Sequence, residues 1–332
     1  MEVVIVAGYG WSGSSAVIDL LKEYDRVSAP PAEFRLIRDP HGLVQLEHAL
    51  VEDWEPINSF AAINDYIWLC KKLNRNQKNK LLPIGLSYKR KINKRFLDIT
   101  LDYVNKLTMF KYSFYCYYTQ FKQTYFSYLL NKVMRKIVSV FRLKGESALK
   151  ANQVVFSQPS KEQFRSITMD YLEELFKETM EKNHSNLLIL DQAVSPNNSD
   201  WALKYFRHAK VIVVDRDPRD IYADLITHKS LIGNDLTDPN NIDKYLAWHN
   251  ALRKNLKISK DVLYVNFEDV VLNYEETKTK IESFSNLSCS EHSNKFSYFD
   301  PKKSIHNIGI WKNMDTVYQN NMKAISSLNK KQ

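Results

Sequence analysis

An α/β fold built on a central parallel sheet, carrying a large helical insertion, is what this 332-residue sequence predicts. Short apolar runs at Val3–Ala7, 187–190, 211–214 and 262–265 are unbroken rather than alternating, as strands buried on both faces are. Helical patterns near 160–183, 199–207 and 240–257, and helices within 41–73, separate or flank them, which is the alternation of an α/β chain. One segment, from Gly85 to Lys150, departs in composition from the rest and marks the insertion. The expected organisation is therefore 1–84 as the first part of the α/β core, 85–150 as the insertion, and 151–332 as the remainder.

The first run feeds a glycine-serine turn, Gly8-Tyr9-Gly10-Trp11-Ser12-Gly13-Ser14-Ser15, and then the helical pattern Ala16–Leu21. Glycines let the backbone bend and approach a ligand, and the first N–H groups of the helix point into the turn, so an anion fits there. The Gly8 to Gly13 spacing matches the phosphate loop of nucleotide triphosphatases, but Ser14 stands where that loop needs lysine. The segment also reads as a serine-capped turn without a ligand.

The run Val211–Val214 leads into Asp215-Arg216-Asp217-Pro218-Arg219-Asp220. Pro218 behind Asp217 fits a capped helix start, leaving Arg216 at the carboxyl end of a strand. Ligands bind at that edge of open α/β sheets, and a guanidinium offers two parallel donors to a phosphate. Pairing of Arg216 with Asp217 or Asp220 is the plainer alternative.

Taken together, these residues resemble the sulfotransferases that use 3′-phosphoadenosine 5′-phosphosulfate (PAPS). Ser12-Gly13-Ser14-Ser15 is similar to the family's phosphosulfate loop, and Arg216 falls on its 3′-phosphate arginine. Val265–Val271 with Tyr274–Thr277, and Lys303–Lys312, look like two later family stretches, the second a nucleotide-covering segment. The resemblance spans roughly residues 1–40 and 187–313. It implies a P-loop-like three-layer fold, with PAPS as co-substrate and Gly10, Trp11, Ser12, Gly13, Ser14, Ser15, Arg216, Asp224, Lys303, Ser304, Asn307, Trp311 and Lys312 as its binding positions. Two positions depart from the pattern. Trp11 stands where the family carries Lys or Arg, so Arg35, Arg38, Lys229, Lys302, Lys303 or Lys312 is expected to supply the cation. Asp224 stands where the family often has Ser; a carboxylate repels a phosphate, so its side chain is expected to point elsewhere, with Thr227 or Ser230 in its place.

Sulfuryl transfer asks for positioning, charge stabilisation and one general base, and no metal. Neither does any Cys, His, Asp or Glu spacing suggest a metal. Glu33, in the proline-held loop after the second strand, is the first choice for the base, with Arg35 beside it and His41 and His228 as alternatives; it also reads as a partner of Arg35 or Arg38 alone. Arg38, Asp191 and Gln192 are expected to bind acceptor or sulfate.

From Gly85 to Lys150, 14 Lys and Arg face three acidic residues, a net +11 against +9 for the whole chain. Phe110, Phe114, Tyr118, Phe121, Tyr125 and Tyr128, spaced by four or three, predict one stripe of a long helix. That stripe packs on the core, forms a lid for a carbohydrate or glycolipid acceptor, or meets a membrane surface. Nucleic acid ranks low, because no recognition motif is present. Three scattered cysteines and the start at a strand, without the N-terminal anchor of the family's Golgi members, suggest a cytoplasmic, bacterial-type enzyme. A small-molecule kinase using nucleoside triphosphate, and a nucleotide-binding protein without catalysis, are the alternatives.

Overall fold

The computed structural model describes residues 1–76, 85–114, 118, 124–140, 152–228, 234–256, 258–326 and 328. They divide into two units, 1–38 with 176–332, and 39–175. Among the described residues the strands are, in chain order, β1 Glu2–Gly8, β2 Val27–Ser28, β3 Phe110–Phe114, β4 Asn152–Phe156, β5 Leu187–Asp191, β6 His208–Asp215 and β7 Val262–Asn266.

The first unit holds a five-stranded sheet in the order β2-β5-β1-β6-β7, with every pairing parallel. The predicted α/β class is thus present. Val4, Val6, Ile189, Ile212 and Val214 pack in one core with the helices Ser14–Leu21 (α1) and Tyr274–Ser285. Val3, Ile5, Leu188, Leu190, Val211 and Val213 alternate with them and are equally buried, so both faces are covered, which is why the runs read as unbroken. Register pairs Val6 with Asp191, Gly8 with Val214, and Asp215 with Asn266, so the carboxyl ends form one edge. From β1 the chain turns to one side, toward β2, and from β6 to the other, toward β7; β1 and β6 are neighbours, so a topological switch point lies between them.

Residues 199–207, expected as a helix, lie mostly in a kinked 3-10 run, Pro196–Tyr205, broken at Asn198. The Asn-Asn-Ser sequence behind Pro196 competes for backbone hydrogen bonds and spoils a regular helix there.

The second unit packs the helices Pro56–Asn74 and Phe96–Leu107 with the first turns of Lys161–Lys182. Tyr66, Tyr103 and Tyr171 are buried at its centre, the Tyr66 hydroxyl donating to that of Tyr171 at 3.2 Å and Tyr103 sharing a 2.9 Å bond with Thr168. β3 and β4 pair antiparallel. The single helical stripe predicted from Phe110 onward is therefore corrected: Phe110 and Phe114 lie on a strand. A spacing of four is even and satisfies a period of two as well as a helix, and Tyr112 between them completes the strand face. Tyr118 is helical, and a helix runs from Tyr125 to Val140, so the later described members of the stripe do lie on helix. Phe121, the segments around 84 and 150, and the tail 329–332 lie outside the described residues.

Candidate functional site at the carboxyl edge of the sheet

β1 ends in a loop whose backbone is unusual at three places: Gly10 (φ 81°), Trp11 (φ 53°) and Gly13 (φ 80°) are left-handed, a region that costs a side chain energy. At Gly13 a Cβ would also sit 2.4 Å from the Phe267 ring, and at Gly8 2.5 Å from Ser12 Oγ. These glycines let the loop lie flat against its own hydroxyls and against Phe267. Ser12, almost fully buried, accepts from the Tyr9 N–H at 3.1 Å. Gln192, itself at φ 54°, donates to Ser14 Oγ at 3.1 Å and accepts from the Gly8 N–H at 3.5 Å, so it braces the loop from the end of β5. α1 then starts at Ser14 with no side-chain cap and no acidic residue in its first turn.

Arg216, at the end of neighbouring β6, is only 7% exposed. Its Nη1 donates to the Trp11 carbonyl at 3.0 Å and to the Asp224 carboxylate, and its Nη2 donates to the Asn307 carbonyl. The guanidinium lies 5.3 Å from the Phe267 ring, and Nε is buried without a hydrogen-bond partner. The two sequence motifs, 205 residues apart, are thus joined by one hydrogen bond. Asp224 corrects the expectation that its side chain points elsewhere. Two turns into the helix Pro218–Thr227 it comes back beside the strand end, where a buried guanidinium requires a counter-charge. Thr227, offered as a replacement, donates to its own helix at Ala223, while Lys229 and Ser230 lie outside the described residues.

The expected cap is present: Asp217 accepts from Arg219 N at 2.8 Å, with Pro218 at the first helical position. Around it sit supports that local sequence patterns do not reveal. Arg253 holds Asp215 in a two-pronged pair at 2.8 and 2.6 Å, and its guanidinium rests 4.0 Å from the Tyr9 ring. Glu268 accepts from the Asp217 N–H at 2.9 Å, and burial pushes its carboxyl upward.

The C-terminal segment closes over this side. Asp220 accepts from Gly309 N at 2.8 Å and Trp311 N at 3.1 Å, and Arg219 lies 4.2 Å from the Trp311 ring. Trp11 packs in the same apolar cluster as Ile310 and Trp311, so it anchors the loop and offers no charge. Of the other expected positions, Asn307 uses its carbonyl, Ser304 ends a short helix, Lys303 lies 4.0 Å from Asp300, and Lys312 lies 5.9 Å from the Trp311 ring.

Toward β2, the edge changes character. A bridge pairs Glu33 with Asp191, and the Phe34 N–H donates to the Asp191 carbonyl at 2.8 Å. Glu33 accepts from Arg35 at 3.0 Å at the surface, while Arg38 donates to the Val194 carbonyl at 3.5 Å. Burial, then the charge of Glu33, raises the Asp191 carboxyl from 3.8 to about 6, with Lys22 and Arg38 opposing. Lys22, held at 2.8 Å by Asp19, was not singled out by sequence; only its spacing three residues after an acid marked it. His41 belongs to the second unit, where it lies 3.8 Å from Asp65 and its ring is edge-on to Trp68. His228 closes the helix Pro218–Thr227, its ring bonded to the Asp224 carbonyl.

No protein-family model matches the chain, and no curated protein matches it. Among solved structures it is similar to the sulfotransferase domain of the Synechococcus PCC 7002 olefin synthase, at 14% identity and a TM-score of 0.43, over 99% of this chain and 94% of that one. It is also similar to the sulfotransferase domain of the curacin biosynthetic pathway, at 12% identity and TM-score 0.43, over 99% and 97% of the two chains. A third similarity is to sulfotransferase STF9 of Mycobacterium avium, at 12% identity and TM-score 0.34, over 93% and 68%.

Proposed function

We propose that the chain is a sulfotransferase that takes PAPS at the β1/β6 edge and transfers its sulfuryl group to a carbohydrate hydroxyl. The observation that carries the reading is the contact of Arg216 with the Trp11 carbonyl, which unites the glycine-serine loop and the strand-end arginine at the switch point. The fit of the residues to the donor rests on the flat loop at Gly8 and Gly13, the uncapped start of α1, and the buried Nε of Arg216. Bound there, PAPS would supply an activated sulfuryl group. Gly10 to Ser15 would hold its phosphosulfate, Arg216 its 3′-phosphate, and the segment from Lys303 to Lys312 would cover it. A general base works best with a pKa near the operating pH, and Asp191, raised to about 6, meets that condition. We assign it the proton of the acceptor hydroxyl, with Glu33 beside it to keep that pKa raised and Arg35 and Arg38 to meet acceptor or sulfate. Phe110, Tyr112 and Phe114 are exposed along β3 and are of the kind that would stack on sugar rings, and free Cys70 and Cys289 accord with a cytoplasmic setting.

Two observations favour a second reading, nucleotide binding without turnover: Trp11 contributes no cation to the loop, and Asp224 already engages Arg216. Calorimetric titration separates the readings. Adenosine 3′,5′-bisphosphate should bind with micromolar Kd or tighter, weakened at least a hundredfold by Arg216→Ala. Preference for ATP with magnesium would move the assignment to a kinase, and no binding of either nucleotide would end it. Bisphosphate binding without sulfuryl transfer to any sugar would select the second reading.

A further inference from the structure

The basic segment contains a surface that the transfer reading leaves unused. From Tyr103 to Gly145 there are eight Lys and Arg and no acidic residue. Within it, the 16-residue helix Tyr125–Val140 carries Phe126, Leu130, Val133, Ile137 and Val140 within about 80° of one face. These residues are exposed, Phe126 by 72%, Val133 by 55% and Val140 by 68%, where an amphipathic helix of a globular core would bury them. Lys132 and Lys136, both exposed, supply two positive charges along one border of that face, and the helix sequence has no acidic residue.

At roughly 24 Å the helix is shorter than the hydrocarbon core, and no helix among the described residues is long and apolar enough to cross a membrane. An apolar stripe bordered on one side by lysines instead suits a helix lying in the plane of a bilayer, its stripe among the acyl chains and its cations at acidic headgroups. We propose that Tyr125–Val140 docks the protein on an anionic lipid surface. The charge decides the occupant: an all-basic border matches a negative surface. The proposal is independent of the donor reading, since it involves neither the loop nor Arg216.

Flotation of the full chain with vesicles tests it, comparing phosphatidylcholine with a mixture containing about one quarter phosphatidylglycerol. The anionic vesicles should bind at least tenfold more protein, and raising salt from about 0.1 M to about 0.5 M should weaken that binding. Lys132→Gln and Lys136→Gln should each weaken it about fivefold, and Leu130→Ser with Ile137→Ser at least tenfold, with no change in the thermal melt. In an otherwise unaltered chain, Phe126→Trp should shift its fluorescence to the blue on anionic vesicles only. Equal binding to both vesicles, binding to neither, binding to single-stranded RNA in their place, or burial of the stripe in a dimer broken by the serine substitutions would each overturn the proposal.

Discussion

The β1/β6 side of the site and its β5/β2 side share one sheet edge and treat charge in opposite ways. On the first, cations are enclosed: Arg216 and Arg253 are almost fully buried, and each is committed to a carboxylate and to backbone carbonyl oxygen. On the second, an isolated bridge sets Glu33 beside Asp191 at the end of β5, and burial together with the charge of Glu33 raises the Asp191 carboxyl to about 6. Enclosed cations with fixed geometry suit the binding of a polyanion, because they lose little freedom when it arrives. A carboxylate balanced between its two forms suits proton transfer instead. On the proposed reading the edge divides binding from chemistry, and substitutions on the two sides should separate in what they change.

The largest effect is expected at Asp191. Asp191→Asn should slow release of adenosine 3′,5′-bisphosphate from the donor, with acceptor sugars in excess, by about 10²-fold or more, while leaving donor affinity unchanged. In the unaltered protein that rate should rise with pH through about 6, as the carboxylate forms. Stability runs the other way. A carboxyl raised in the folded state favours folding below about pH 4, and that advantage is lost as pH climbs through 6. Asp191→Asn should therefore melt higher than the unaltered protein above pH 6 and alike near pH 4. If the substitution weakened donor binding and left the rate alone, the division between the two sides would be wrong.

Next in size is Gly13→Ala. Its Cβ meets the Phe267 ring, and its φ of 80° is unfavourable to any side chain, so a loss of about 2–4 kcal/mol is expected in denaturant titration. Phe267→Leu in the same chain should return part of it, because the clash is with the ring. An unchanged midpoint would show that the loop can move off Phe267, and that the binding side is less rigid than the comparison requires.

How far the sequence carried this picture depends on the range of each signal. Strands buried on both faces appear as unbroken apolar runs, and the Asp217-Pro218 helix start is complete within two residues, so both were legible. The glycine-serine loop was legible for the same reason. The stripe at Phe110 and Phe114 misled because its spacing is common to strand and helix. What no local pattern contains is pairing across the sheet: Gln192 bracing Gly8 and Ser14, Arg253 holding Asp215 beneath Tyr9, and Glu33 meeting Asp191. Asp224 was visible but read with the wrong sign, because its repulsion from a phosphate was weighed without the need of a buried arginine for a counter-charge.

That same pair gives the smallest and most discriminating effect. Asp224 occupies one donor of Arg216, so a phosphate arriving at Arg216 must displace it or share the guanidinium with a like charge. Asp224→Ser removes the competitor and keeps a hydroxyl at the position. Affinity for adenosine 3′,5′-bisphosphate should rise about tenfold, which corresponds to about 1.4 kcal/mol. The melting temperature without nucleotide should fall, since Arg216 is left buried with carbonyl partners alone. The two changes have opposite sign, so general damage to the fold does not imitate them. If affinity fell with stability, Arg216 and Asp224 would be a structural clasp, and the phosphate-binding role would pass to the uncapped start of α1.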